Sequence, residues 1–446
     1  MATFRCLPDS KSFIRFVIAF NVLLTLFNFL SFRITPRSHY PCVLVEDNNK
    51  SYSLEGSRKQ KVAWVLPAHP RPQVSTETQN VEVTIGNWTV EVHGNFMLIK
   101  NYIRAELTPG FNESVTFTTQ GTHPFLHHAE VICQRWDGPL SVAVYAPGTD
   151  LLDAIKKISF LQQCGNSCVS RNVSWHLVYD LNFGPSIEEL NNPENIARFF
   201  SINCTAGMKA LNLSSNFREA YRLSYPINLL RNVARLQAET YYVLSSDIEL
   251  YPSVNIVSRF LHLVAEETGV TAVPSAPRVY HLPIFEVSAN LPAPATKREL
   301  VSLLKQKKAT FFHKLTCDKC QRYPRRNEWV KILPNNSALG VFTVTKRNKY
   351  LSSWEPIYIG TNNEPLYNEH LTWEGKRDKM SQMYELCLLN YDIYTLDNAF
   401  LVHAPGIKRS NKKDQKWRMP YIRKNNRVYS RILKDLRDKY GYRKDC

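Results

Sequence analysis

From Trp136 onward the chain alternates short apolar runs with longer amphipathic ones, and this alternation restricts the fold more than any other feature. GPLSVAVYAPG (138–148) and VSWHLVYD (173–180) are β-branched and aromatic, as strands buried on both faces are. Between them TDLLDAIKKISFLQQC (149–164) has helical periodicity, with Thr149 or Asp150 placed to cap it. A long helix-forming segment through Tyr225, the helix YPINLLRNVARL (225–236) and the strand AETYYVLSSDIE (238–249) continue the series. Strands separated by helices of this length make βαβ units, so the fold class is α/β with a mostly parallel central sheet, Rossmann-like in layout. Upstream, VEVTIGNWTVEVHGNFMLIK (81–100) alternates with period two around Gly86 and Gly94 and predicts antiparallel strands.

The longest apolar run, FVIAFNVLLTLFNFLSF at 16–32, lies near the start, with Arg5, Lys11 and Arg15 before it and Arg33 and Arg37 after it. A cleaved signal peptide is the rival to an uncleaved anchor. The run exceeds the usual apolar core of such peptides, and the bulky, basic SFRITPRSHYP offers no small-residue cleavage site. The expected order is a cytoplasmic tail (1–15), a transmembrane signal anchor (16–32), a Pro-, Ser- and charge-rich stem (33–76), a lumenal catalytic domain (77–410) and a basic helical extension (411–446). N-x-S/T sequons at Asn49, Asn87, Asn112, Asn172, Asn203, Asn212 and Asn335 agree with a lumenal body. Asn21, Thr25, Asn28 and Ser31 inside the run, and its modest length, favour a thin Golgi-type membrane. The expectation is therefore a single-pass type II Golgi protein.

Cysteine usage fits an oxidising lumen. Nine cysteines follow the anchor, so at least one lacks a partner within the chain, and Cys42 and Cys446 are the obvious candidates. CDKC (317–320) has no second CxxC and no H-x3-H partner, which favours a local disulfide over a zinc site. A net charge of +17 invites a nucleic-acid reading, but residues 407–446 hold fifteen Lys/Arg against four Asp/Glu. Most of the excess is thus a lumenal tail, where no nucleic acid is met. Within it Val428, Ile432, Leu436 and Tyr440 recur every fourth residue, predicting a helix that docks its apolar stripe on the body; attraction of anionic partners is the alternative.

In α/β sheets ligands bind beyond the carboxyl ends of the strands, and there YYVLSSDIELYPS (241–253) places Asp247 and Glu249. Acids one residue apart on an extended chain project to opposite sides. One can hold a divalent cation while the other reaches a substrate hydroxyl or a metal-bound water, the chemistry of a nucleotide-sugar site. The plain alternative is that they cap the turn before Pro252.

Several segments carry a more specific resemblance: YPINLLRNVARLQAETYYVLSSDIELYPS, RVYHLPIFEV with PATKRELVSLL, CDKCQ, SWEPIYIG, EPLYNEH, SQMYELCLLNYDIYTLDNAFLVHAPG and the basic C-terminal helix. In this order, from about Trp136 to the C-terminus, they resemble glycosyltransferase family 49. The resemblance implies a GT-A fold, a UDP-sugar donor (glucuronate in the best-known member, added in β-1,4 linkage), Mn2+ and inversion at the anomeric carbon. The family's D-x-D matches Asp247-Ile248-Glu249, with Glu one methylene longer than Asp. His403 in FLVHAPG matches a late histidine that completes the metal shell, though a lone histidine is more often structural. Lys408 and Arg409 are placed to meet donor phosphates, or are solvated tail residues. Asn228, Arg231 and Asn232 are polar positions on an otherwise apolar helix, turned toward the donor or toward solvent.

Where the family shows Asp-Glu this chain has Asn368-Glu369, so Glu369 is the expected base and Glu355 the lesser candidate. Trp354, Glu355 and Trp373 are candidate acceptor contacts; Tyr358 is a further aromatic that could stack on sugar, and core packing is the alternative for all these rings. The expected partners are a UDP-sugar, a glycan acceptor on glycoproteins, the membrane through the N-terminal helix and a second chain in a homo- or hetero-dimer, with no nucleic acid. Glu249 and Asn368 depart from the family pattern, so a catalytically weak, sugar-binding or complex-forming Golgi homologue is the competing reading. A transferase using UDP-GlcNAc or UDP-xylose is the third.

Overall fold

A computed structural model describes residues 63–64, 81–85, 88–190, 202–211, 213, 216–270, 277–333, 338–409 and 412–446. The expected tail and anchor lie outside these residues, as does the stem apart from the short strand Ala63–Trp64. Of the sequons, Asn112, Asn172 and Asn203 are described; Asn112 and Asn203 are exposed. No described helix is long and apolar enough to cross a membrane.

The described strands form two sheets. The larger runs in the order Ala63–Trp64, Val81–Ile85, Trp88–His93, Phe96–Ile103, Val173–Asp180, Leu140–Tyr145, Val115–Gly121, Tyr242–Ser245, Tyr358–Thr361, Arg278–His281, Asp392–Asp397, Gly340–Lys346. Its centre, from Val173–Asp180 to Tyr242–Ser245, is parallel and buried on both faces, as the residue pattern predicts. Parallel pairing returns only between Arg278–His281 and Asp392–Asp397. The remaining pairs are antiparallel, so the sheet is mixed rather than mostly parallel. The physical reason is connectivity: the 81–103 meander adds to one side through tight turns, and Tyr358–Thr361 runs against both of its neighbours. The whole is a mixed α/β architecture consistent with a GT-A-like fold.

Helix Ile227–Leu236 packs Leu229, Leu230, Val233 and Ala234 against Ala143, Tyr145 and Val178 of the parallel strands. Helix Asp150–Cys164 lies where its periodicity puts it, but Thr149 makes no side-chain cap. The predicted long helical segment before Tyr225 is instead a set of short turns among the described residues, Ile187–Leu190, Cys204–Ala206, Met208–Leu211 and Phe217–Ala220. The last strand of the expected series covers only Tyr242–Ser245, because Leu250 N–H bonds back to Asp247 O at 2.9 Å and curls the acid-bearing stretch into a turn.

A smaller sheet, ordered Ala309–Phe311, Ile284–Val287, Leu401–His403, Leu250–Pro252, begins as that turn ends. Its underside is a second core of Phe285, Trp329, Trp354 and Phe400. The C-terminal helix, Lys412–Tyr440, docks its stripe as predicted: Ile432 and Leu436 pack with Leu371, Tyr384 and Leu388. Disulfides join Cys133 to Cys168, Cys164 to Cys204, Cys317 to Cys320 and Cys387 to Cys446. The local CDKC bridge is therefore present. Cys446 is not the odd cysteine: it closes onto the helix beneath the C-terminal segment, and Cys42, outside the described residues, is left over.

Candidate active site

Three polypeptide features meet at the carboxyl ends of the parallel strands. The first is the Asp247–Glu249 turn, in which Ile248 is buried against Gly121, where a Cβ would meet Ile248 Cδ1 at 3.3 Å. That anchor turns the two acids in different directions. Glu249 goes to the small sheet, where antiparallel pairing sets His403 opposite Leu250 and Ala404 N–H donates to Glu249 O at 2.7 Å. Strand register, not sequence proximity, thus makes Glu249 and His403 neighbours.

Asp247 goes the other way. Its Oδ1 accepts from Arg231 Nη2 at 2.8 Å and Gln120 Nε2 at 3.1 Å, and its Oδ2 from Lys379 Nζ at 2.9 Å. Burial opposes its charge, but Lys379 and Arg231 outweigh burial and hold the carboxyl far below the usual range. Among the described residues, Asp247, Glu249 and His403 therefore do not converge within 4.8 Å as a three-ligand set. Glu249 and His403 remain as a pair.

The second feature is the polar face of helix Ile227–Leu236. Asn228, Arg231, Asn232 and Arg235 fall at helical spacing and are all buried. They do not point to solvent, and Asn228 and Asn232 are not free for a nucleotide. Each grips the irregular segment 361–378, whose carbonyls lack strand partners and must be satisfied. Asn228 Nδ2 donates to Asn368 O and Asp378 O, both at 2.8 Å. Asn232 donates to Tyr367 O at 2.8 Å and accepts from Tyr367 N–H at 2.9 Å. Arg235 donates to Thr361 O, Glu364 O and Pro365 O. Arg231, 1% exposed, spans Asp247 and Asp378, the latter at 2.6 Å. Its guanidinium is fully engaged as the hinge pin of this arrangement.

The third feature is the Glu355 region. Cys320 O accepts Glu355 N–H at 2.9 Å, so the Cys317–Cys320 bridge fixes the backbone beneath this acid. Glu355 is half-buried beside a set already balanced in charge, Arg231 and Lys379 against Asp247 and Asp378. A third carboxylate there ionises reluctantly. Burial and then Asp378 push its pKa up to about 7 against the pull of Lys379 and Arg231.

Glu369 is placed differently from its expectation as a base. Its Oε1 accepts from Asn232 Nδ2 at 2.9 Å and its Oε2 from His93 Nε2 at 2.6 Å. Burial works against a charge on His93, but hydrogen bonds to Glu369 and Glu91 prevail and raise it to about 9. The pair pins the 361–378 segment to strand Trp88–His93. Asn368 Oδ1 accepts His370 N–H at 3.2 Å, a turn-forming role.

Trp354 is 1% exposed, edge-on to His281 within the second core, and Tyr358 is buried too, so neither presents a face to sugar. Trp373 is 41% exposed, with the Arg418 guanidinium 4.2 Å over its ring. Lys408 Nζ stands 3.7 Å from Glu249 Oε2, and Arg409 is exposed.

His403 is the side chain that asks for a cation. Its ring is 6% exposed, stacked on Phe312, and Nδ1 donates to Ala404 O at 2.7 Å. That assigns the proton to Nδ1 and leaves a lone pair on Nε2. Nε2 is buried with no hydrogen-bond partner and faces Glu249 Oε1 at 3.7 Å, too far for a hydrogen bond. Two electron-pair donors set across such a gap, one with its other ring nitrogen fixed by a carbonyl, fit a divalent ion.

Residues that sequence reasoning passed over complete the site. Lys379 and Asp378 lie in RDKM before helix Met380–Leu388 and give no motif. Gln120 was findable, since it ends a parallel strand. Glu286, fully buried, accepts His313 N–H at 3.2 Å behind His403.

A family described as glycosyl-transferase for dystroglycan matches residues 114–441, about three quarters of the chain. The chain belongs to glycosyltransferase family 49. Similar proteins include beta-1,4-glucuronyltransferase 1 of Danio rerio, 30% identical over 363 residues, which are 78% of this chain and 80% of that one. The Homo sapiens protein of the same name is 24% identical over 379 residues, 84% of this chain and 87% of its own. Xylosyl- and glucuronyltransferase LARGE2s of Gallus gallus is 25% identical over 294 residues, 65% of this chain but 32% of that longer protein. This family 49 member is a glycosyltransferase, and the match spans all three features of its site.

Proposed function

We propose that this enzyme transfers a sugar, glucuronate in β-1,4 linkage, from a UDP-sugar to a glycan acceptor on secretory glycoproteins, with inversion. The observation that carries the reading is the buried, unpartnered Nε2 of His403 across from Glu249. A divalent ion such as Mn2+ would be held by these two residues, and when bound it neutralises charge developing on the departing diphosphate. Lys408, beside Glu249 on the exposed side, and the exposed Arg409 that follows it supply further positive charge for phosphate. Asp247, locked by Arg231, Lys379 and Gln120, is a rigid acceptor for a sugar hydroxyl. The choice of glucuronate over a neutral donor is supported by the relatives named beta-1,4-glucuronyltransferase 1.

Inversion needs one base that strips the acceptor hydroxyl as it attacks. Glu355 has the matched proton affinity and half-exposed position for this; Glu369 is committed to His93 and Asn232. The departure at Asn368 then costs no base, which weighs against the catalytically weak homologue. Membrane attachment through 16–32, a lumenal catalytic body and Golgi residence are part of the proposal and rest on the apolar run, the sequons and the disulfides.

The test is thermal unfolding of the full chain with UDP and UDP-sugars, with and without Mn2+, since a ligand selective for the native state raises its apparent stability. UDP-glucuronate with Mn2+ gives the largest shift, and His403→Ala or Glu249→Gln removes the metal-dependent part. A metal-dependent shift that survives in both variants would exclude these residues as ligands.

A further inference from the structure

Outside the site just described, one buried cluster has the composition of a metal centre. His123 follows the carboxyl end of strand Val115–Gly121, and Asp150 and Asp153 lie in the first turn of helix Asp150–Cys164. The three side chains are 4%, 0% and 2% exposed, and each brings a ligand atom within 4.8 Å of the other two. Neither ring nitrogen of His123 completes a hydrogen bond; Nε2 stops 3.5 Å from Asp150 Oδ1. A buried imidazole without a bonded partner, aimed at two carboxylates, is costly unless a positive charge joins them.

We infer that His123, Asp150 and Asp153 form a second divalent-cation site, structural in role, suited to a transition-metal ion such as Zn2+ that accepts mixed imidazole and carboxylate ligands. Carboxylates in a helix's first turn are favoured by its dipole. Asp150 also accepts from the backbone N–H groups of Phe217 and Arg218. Those two N–H groups donate at 2.7 and 3.1 Å, so a cation here would fasten the loop after the first parallel strand to the 217–225 segment. From there Arg218 pairs with Glu374 at 2.5 Å, and Glu374 accepts Tyr225 N–H at 3.1 Å, reaching the segment that carries Lys379. The buried Lys157 donates to Pro124 O at 3.0 Å, beside His123. The competing arrangement is the same three side chains packed together with no metal.

Zn2+ dialysis of the full chain followed by elemental analysis decides between them. The expected result is two ions per chain in the wild type, one in Glu249→Gln/His403→Gln and one in His123→Gln. With Co2+ in place of Zn2+, visible absorption should persist in the double variant. A double variant that binds no ion and shows no Co2+ absorption overturns the inference and leaves the cluster as packing alone. A wild type with a single ion, lost only in His123→Gln, would instead support this site and sink the Glu249–His403 reading. If His123→Gln does not fold by circular dichroism, the double variant alone still decides.

Discussion

Transfer by this enzyme should collapse as pH falls below neutrality, and the position of that collapse reports Glu355. A free glutamate is almost wholly ionised at pH 6. With its pKa raised to about 7, Glu355 is ionised in only about one molecule in ten at pH 6 and one in a hundred at pH 5. Only the ionised form accepts the acceptor's proton, so log kcat/KM should fall with unit slope below about pH 7 and level off above it. The neighbours supply the control. Asp378→Asn removes a charge that raises the pKa and moves the limb to lower pH, while Lys379→Gln removes one that lowers it and moves the limb upward; each shift is on the order of one unit. Glu355→Gln should abolish the limb and reduce kcat by about 10²- to 10⁴-fold. The assay is sugar release from labelled UDP-glucuronate to acceptor across pH 5 to 9 in constant-ionic-strength buffer. A limb near pH 4.5, or one near 7 that survives in Glu355→Gln, refutes the assignment.

Other perturbations address the scaffold. His93 has a folded pKa of about 9 against 6.5 for the free group, so its pairing contributes stability below pH 6.5 that is lost as pH rises through 9. Denaturant titrations should show up to about 3 kcal/mol of loss across that window, and a smaller loss in Glu369→Gln, where Glu91 alone still pairs with His93. Arg231→Met leaves Asp247 and Asp378 facing one another without their shared cation and should destabilise by about 3–5 kcal/mol in urea unfolding, unless the acids protonate instead. Cys446→Ser opens a closure of 59 residues, for which loop entropy gives about 4 kcal/mol as an upper value, read as a fall in the unfolding midpoint under non-reducing conditions. Trp354→Ala should cost about 3–5 kcal/mol of stability, since its ring fills a core, whereas Trp373→Ala should alter acceptor KM and leave stability nearly unchanged.

Local pattern foretold the parts of the fold that local chemistry determines. LSVAVY and VSWHLVYD are apolar enough to admit only buried strands, and the stripe at 428, 432, 436 and 440 admits only a docked helix. The 187–225 region misled because its helix-forming composition is overridden by Cys164–Cys204 and by Asp150, which takes the N–H groups of Phe217 and Arg218. The acid pair lies at the strand end where its pattern places it, and the late histidine is brought to Glu249 by strand register. What could not be read was which partner each polar residue meets. Asn228 and Asn232 satisfy carbonyls some 135 to 150 positions away, and no spacing rule encodes that. Glu369 and Glu355 look alike in sequence; one sits against an imidazolium and the other beside a neutralised quartet, and only the three-dimensional charge balance separates them. Trp354 precedes Glu355 directly, yet the chain points one into packing and leaves the other half-buried beside that quartet.

Cys446 and Cys387 form a covalent clasp between the C-terminal segment and the helix beneath it. The two thiols are 59 positions apart and lie on either side of helix Lys412–Tyr440, so the bond reports that this helix has come down on the body. Once closed in an oxidising compartment, the clasp makes that arrival hard to reverse. A molecule that failed to dock would leave Cys387 unclaimed, a reactive thiol where a finished one has none.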